Sequence, residues 1–341
     1  MQEPQIFSRG ADEHPVGSEP CAAAPCGPAQ ILARLDELHS SPGAAWRAVQ
    51  ILKDPDYDVH EVESILESDP GLSASILRLV NSSAFGLPRN VTNIRQAIML
   101  LGARSLRLAV LSFGLVHRLT RGTPMEVFDD FWRRALTTAV VAGKLARRES
   151  ATNPEDAYCA GLLAEIGVLT FCQVDTRKYL NLYLKHRHCQ DLPVAEEEHY
   201  GFDHATLGAC LLDRWGLPNP LASAASCHHQ PDRCNTPLLQ AVHAGTLLAD
   251  VLWMPRSPLL PRARQWLEKH FGVDLDGFIG LANECKEEIL DSAEFFSVKL
   301  KGRIDVSALK KEAFEIFKKA ALETALEYDS ITAVLEQRYT M

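Results

Sequence analysis

NPEDAYCAGLLAEIGVLTF, residues 153–171, reads as a helix buried on nearly every side. Asn153 can cap the free amides of a first turn, Pro154 needs no hydrogen-bond partner at the first helical position, and Glu155 and Asp156 suit the positive end of the helix dipole. Ala157, Ala160, Gly161, Ala164 and Gly167 are small enough for close helix approach, while Leu162, Leu163, Val168 and Leu169 leave no polar face. Glu165 interrupts this run. A buried carboxylate needs a counter-charge, a metal or a proton, so Glu165 is the residue through which function has to be read.

On either side of this stretch, helix signals follow one another and strand signals are scarce. Asp58 with Glu61 forms a capping box, Asp69-Pro70 opens a second helix with Leu72, Ile76, Leu79 and Val80 on one face, and Asn93 with Gln96 starts a third that Gly102 breaks. The AFGLPRN run before Asn93 is turn-forming. A helix from Ser105 to about Leu119 follows, and Thr123 with Glu126 makes a capping box for a longer one ending at Arg148. Further helices are expected at 176–188, 199–215, from Pro220 to the adjacent His228 and His229, 238–252, 263–271, 275–292 and 306–328. The fold class is therefore all-α, a multi-helix bundle. Residues 1–28, with five prolines and three glycines, cannot bury enough surface to offset ordering and read as a disordered tail. The main helical domain is expected over 29–295, with a C-terminal helical extension at 296–341.

A hydrophobic fraction of 46% in 341 residues is ample for a core. The net charge of −9 and pI near 5.8 argue against general nucleic-acid binding. No apolar run approaches the roughly 18 residues of a membrane span, and the first residues lack the basic-then-apolar order of a signal peptide. Those two features read as a cytoplasmic setting, and the nine cysteines, odd in number, scattered and without a C-x-x-C pair, imply reduced thiols. No glycine-rich phosphate loop and no G-x-S-x-G elbow occurs, so P-loop nucleotide hydrolysis is excluded.

The histidines carry the remaining chemistry. His204 lies in an apolar helix and His228 and His229 close another, so all three can face one cavity, where imidazoles converging on a carboxylate would hold a transition metal. The plainer alternatives are hydrogen-bonded core histidines, or cations placed at a helix C-terminus. Cys227, His228 and Cys234 fit no standard zinc spacing.

The run ESDPGLSASILRLVNSSAFGLPRNVTNIRQAIMLLGARSLRLAVLS (67–112) resembles the signature region of the HDOD family, a branch of the HD metal-dependent phosphohydrolase superfamily. The resemblance continues through Phe131-Trp132, Gly161-Leu-Leu163, Ile166-Gly167, Gly201-x-x-His204, Trp215-x-Leu217-Pro218 and His228-His229, and covers roughly residues 30–255. It implies an HD-type helical bundle in a bacterial, cytoplasmic signalling protein. Active members of that superfamily hold metal through an early histidine, a His-Asp doublet, further histidines in some branches and a late aspartate. Here those positions read Arg134, Ala164-Glu165 and Thr246, with Asp250 one turn further on. Alanine has no lone pair, arginine brings a fixed positive charge, and threonine is a poor ligand for zinc or iron. The ligands left are at most His204, His228 or His229, and Glu165, so no metal, no cofactor and no catalysis are expected. An Arg134–Glu165 ion pair filling the former metal pocket would satisfy the buried acid.

The output would then be binding, to a signalling protein partner or a nucleotide-type ligand. Arg104, Arg107, Arg118 and Arg121, with Arg133, Arg147 and Arg148, form the candidate surface for an anionic partner. Two further possibilities are a metal-dependent phosphohydrolase acting on a nucleotide or cyclic dinucleotide, and a scaffold that forms a homodimer through the C-terminal helix.

Overall fold

The computed structural model describes residues 27–38, 43–81, 90–149, 152–187, 191–296 and 298–319, and among these no strand occurs. The helices are α1 Pro28–Leu38, α2 Gly43–Ile51, α3 Val59–Glu67, α4 Pro70–Val80, α5 Ile94–Leu111, α6 His117–Thr120 and α7 Met125–Arg148. They continue as α8 Pro154–Leu163, α9 Ile166–Val174, α10 Thr176–His186, α11 Leu192–Tyr200, α12 His204–Arg214, α13 Asn219–Cys227, α14 Pro237–Val251, α15 Leu260–Phe271 and α16 Leu275–Phe295. A last helix, α17, covers 306–319.

Side-chain caps set many of these starts. Asp58 Oδ1 accepts from His60 N (2.8 Å), Asp69 Oδ1 from Leu72 N (3.1 Å), Asn93 Oδ1 from Gln96 N (2.8 Å) and Asn153 Oδ1 from Glu155 N (2.8 Å). Each satisfies an amide that a helix cannot pair internally. The long helix α7 runs through the middle, with Phe131, Trp132, Ala135, Leu136, Ala139 and Val140 buried, and packs against α8, α14 and α16. Gly161 makes the α7–α8 approach possible: a Cβ there would lie 2.8 Å from the backbone of Thr138 and Ala139.

Several sequence expectations need correction. The 153–171 stretch is not one helix: α8 ends at Leu163 and α9 begins at Ile166, with Ala164 and Glu165 in a turn between them. No breaker residue marks it, and the turn falls where the α7–α8 pairing gives way to the α9–α12 pairing, so tertiary packing overrides local propensity. Together 154–174 are long and apolar enough to cross a membrane, contrary to the count of apolar runs, but 89% of the most apolar window is buried in the protein core. The 199–215 helix is likewise two, divided at Gly201, whose φ of 84° is the left-handed conformation that ends α11. Thr123 makes no capping box; its hydroxyl donates to Leu119 O (3.0 Å) and Pro124 takes the cap position without a side-chain bond. Helices α1, α2 and α11 were not anticipated. In α17, Val306, Leu309 and Ala313 are buried against the bundle, whereas Phe317 is 47% exposed and lies beneath Arg264. The turn-forming run at 84–90, the 1–28 tail and the end of the 306–328 helix fall almost wholly outside the described residues.

Candidate functional site

A cavity of about 300 Å³ opens between α7, the α8–α9 turn, α12, the end of α13 and α14. Arg134, Glu165, His204, His228, His229 and Thr246, all singled out from sequence, line it together with Asp250 and His243. Ala164 is fully buried in the turn beside Glu165.

The two oxygens of Glu165 face different neighbours. Oε1 accepts from Arg134 Nε at 2.7 Å and lies 2.7 Å from Nη2, while Arg134 Nη1 donates to Asp250 Oδ1 at 2.7 Å. The guanidinium is thus held in a two-carboxylate clamp that joins α7, the α8–α9 turn and α14. Oε2 points the other way, 3.4 Å from His204 Nε2 and 3.8 Å from His228 Nε2.

The three histidines converge because each is placed by an element end. His204 is the first residue of α12, whose N-cap Asp203 accepts from Thr206 N (2.8 Å). Helix α9 meets α12 so closely that a Cβ on Gly167 would collide with the His204 carbonyl oxygen. Glu196, buried on α11, accepts from His204 N (2.7 Å) and sits 2.6 Å from His204 Nδ1, and its other oxygen accepts from Tyr179 Oη (2.6 Å). His228 Nδ1 lies 2.6 Å from Ala225 O, and because a carbonyl oxygen only accepts, Nδ1 carries the hydrogen and donates. That Nε2 is buried without a hydrogen-bond partner. His229 Nε2 is 3.0 Å from His204 Nε2. Glu165, His204, His228 and His229 each offer one ligand atom, and these four lie within 4.8 Å of one another.

The charges are strongly coupled. Burial works against a charged Arg134, but Asp250 and Glu165 outweigh it and raise its pKa further. Burial likewise opposes ionisation of Glu165, yet Arg134, with His228 and His204, holds its carboxyl well below the usual range. His204 is pushed up to about 9, Glu196 overcoming the burial penalty, and His229 is held well below its usual value by burial and by its two histidine neighbours. A His204 Nε2–H donating to a neutral His229 is the arrangement these directions describe.

The positions of an HD-type metal centre do not fit a metal here. Arg134 puts a bound cation where the early ligand would be, Ala164 offers a methyl group, and the Thr246 hydroxyl donates to Val242 O (3.2 Å). The sequence reading allowed His228 or His229 beside His204 and Glu165, and the structure brings both into the cluster. Helix α13 stops at Cys227, so His228 and His229 follow the helix end rather than projecting at fixed helical angles, and both reach the cluster. Glu196 was also missed: it sits in an EEE run that reads as a solvated face, although it is fully buried.

Four of the seven arginines of the candidate anionic-partner surface have partners within the protein. Arg107 donates to Leu52 O (3.0 Å) and pairs with Glu155; Arg133 pairs with Asp130 and lies 5.6 Å over the Trp253 ring; Arg147 and Arg148 reach Glu288 and Glu284. Arg104 and Arg121 are exposed, and the Arg118 side chain lies outside the described residues.

The comparisons agree on the fold. The HDOD domain model matches residues 38–231. The chain is 28% identical over 214 residues to an uncharacterized protein of Treponema pallidum (strain Nichols), a match covering 59% of this chain but 39% of that protein, so it spans about two fifths of the relative's length. A phosphohydrolase candidate from Shewanella amazonensis SB2B is similar in structure, with a TM-score of 0.57 and 24% identity over 83% of this chain and 97% of that one. A signal-transduction candidate from Marinobacter aquaeolei VT8 gives a TM-score of 0.60 at 23% identity, over 77% and 61% of the two chains. At these identities the structural likeness concerns the fold.

Proposed function

We propose that this chain, which belongs to the HDOD domain family, is a non-catalytic regulatory module of cytoplasmic signal transduction that acts by binding a protein partner or a small ligand. The observation that carries the reading is the Arg134 clamp. A guanidinium hydrogen-bonded to Glu165 and Asp250 occupies the two carboxylates that a water-activating, multi-ion centre would need, and it cannot be deprotonated to make room. The module is taken to span 29–295, with 296–341 as an extension.

A second reading, a phosphohydrolase acting on a nucleotide or cyclic dinucleotide, draws on the histidine cluster beside the clamp. One assay separates the two. Incubated with generic phosphomonoester and phosphodiester substrates and added manganese or iron(II), the regulatory module releases no phosphate above the rate of a His204→Ala control. Turnover abolished by His204→Ala would establish the hydrolase instead.

A further inference from the structure

We infer that α17 and the sequence that follows it are the docking face for a second copy of this chain, the two segments pairing antiparallel about a two-fold axis. This goes beyond the regulatory reading and does not depend on it. Helix α17 has two apolar sides. Val306, Leu309 and Ala313 are buried against the bundle, whereas Phe314 and Phe317 are 40% and 47% exposed. Among the described residues no other phenylalanine, tyrosine or tryptophan is exposed. Apolar surface gathered in one place in this way marks an interaction site more often than apolar side chains scattered singly.

The sequence beyond α17 indicates what covers this pair. Phe314, Ala321, Tyr328 and Leu335 stand seven residues apart, and Phe317, Thr324 and Ile331 each follow one of them by three. Apart from Thr324 this is the a/d pattern of a helix–helix seam, sustained over three heptads. The row that faces the bundle does not continue in the same way. After Ala313 and the partly buried Ile316, its next positions read Ala320, Glu323 and Glu327. The apolar character therefore passes from the bundle side to the phenylalanine side. Helix α17 is still helical at Lys319, the last residue described, and residues 320–341 remain to carry the seam past the bundle.

Charge selects a second copy and sets its direction. Residues 310–319 carry four lysines against two glutamates, and residues 320–341 carry four acids against one arginine. Paired in parallel, two such segments would set like charges side by side; paired antiparallel, the basic start of each meets the acidic end of the other. The cations at the basic start are already in place, with Arg264 lying 5.4 Å over the Phe317 ring and Lys310 lying 5.7 Å over the Phe314 ring. Ala320, Ala321, Thr324 and Ala325 fall midway along the seam, where small side chains let two crossing helices approach closely. A two-fold contact is self-complementary, so each chain would present Phe314 and Phe317 to Tyr328, Ile331 and Leu335 of the second copy.

The test uses the full chain. Sedimentation equilibrium is expected to give twice the 37.7 kDa of one chain. Phe314→Glu and Leu335→Glu, at opposite ends of the seam, should each weaken dimerisation about 10-fold or more, because each puts a carboxylate into an apolar contact. Circular dichroism checks that both variants keep the bundle; if Phe314→Glu does not fold, Leu335→Glu, outside the described bundle, decides. Carbodiimide crosslinking of mixed unlabelled and isotope-labelled chains should join Lys318 or Lys319 of one copy to Glu327 or Asp329 of the other. A monomer at tens of micromolar, whether the seam folds back on its own bundle or meets nothing, would overturn the proposal. So would a dimer that neither substitution weakens, or interchain links from Lys319 only to Glu315 and Glu323, as parallel pairing would give. Phosphate release is read in a separate assay, so failure of the seam and failure of the regulatory reading remain distinguishable.

Discussion

Removing the Glu165 carboxylate should expose how much of the fold rests on the clamp. In Glu165→Ala, Arg134 keeps its charge, at 18% side-chain exposure, but loses the more deeply buried of its two partners. Breaking a buried ion pair from one side costs about 3–5 kcal/mol, most of it the penalty of the charge left behind. Asp250, 30% exposed and still 2.7 Å away, retains part of the pairing, which places the expected loss at the lower end, about 3 kcal/mol. An unfolding entropy of about 2 cal/mol/K per residue makes that a fall in Tm of roughly 4 °C for a chain of this length. The measurement is urea and thermal unfolding followed by circular dichroism, on chelator-stripped protein so that no bound ion contributes. A double-mutant cycle supplies the decisive arm. In an Arg134→Met background the buried cation is gone, and Glu165→Ala should then cost less than about 1 kcal/mol, a coupling of about 2 kcal/mol or more. Single-mutant effects that simply add, within about 0.5 kcal/mol, would show that the guanidinium and the carboxylate do not depend on each other, and the reasoning behind the clamp would fail.

Two other perturbations probe the architecture around the cluster. Gly167→Ala should destabilise by about 1–3 kcal/mol, because its Cβ meets backbone that cannot turn aside. Gly280→Ala, on the exposed face of α16 with nothing within 4 Å, is the control and should stabilise by about 0.5–1 kcal/mol; equal effects at the two sites would refute the close α9–α12 contact. His243, buried on α14, has its pKa lowered to about 4, chiefly by burial. Its folded-state value lies below the unfolded one, so stability is full above about pH 6.5 and falls as the pH drops towards 4, where the imidazole must charge inside the protein. His243→Gln should flatten that acid limb of the stability–pH curve; an unchanged limb would mean that His243 is not what the acid titrates.

Much of this was legible locally. Capping side chains such as Asp58, Asp69, Asn93 and Asn153 announce helix starts because the signal and the structure it causes are two or three residues apart. The facing of Arg134 and Glu165, 31 residues apart, was inferred from the family's ligand pattern rather than from any local signal. What escaped notice depends on partners distant in sequence. The break at Ala164–Glu165 has no breaker residue and arises from two helix pairings. Glu196 is hidden in an acidic run, and its burial follows only once Tyr179 and His204 are in place. That His228 and His229 both reach the pocket wall follows from α13 ending at Cys227, two residues before the expected end, and helix ends are among the least certain features of a sequence reading.

The clamp has a further consequence for how such a protein responds to its surroundings. A metal ion that bridges carboxylates departs when the supply falls, and a fold built around it fails with it. Arg134 is a cation tethered to its own backbone, so the junction of α7, the α8–α9 turn and α14 survives any scarcity of metal.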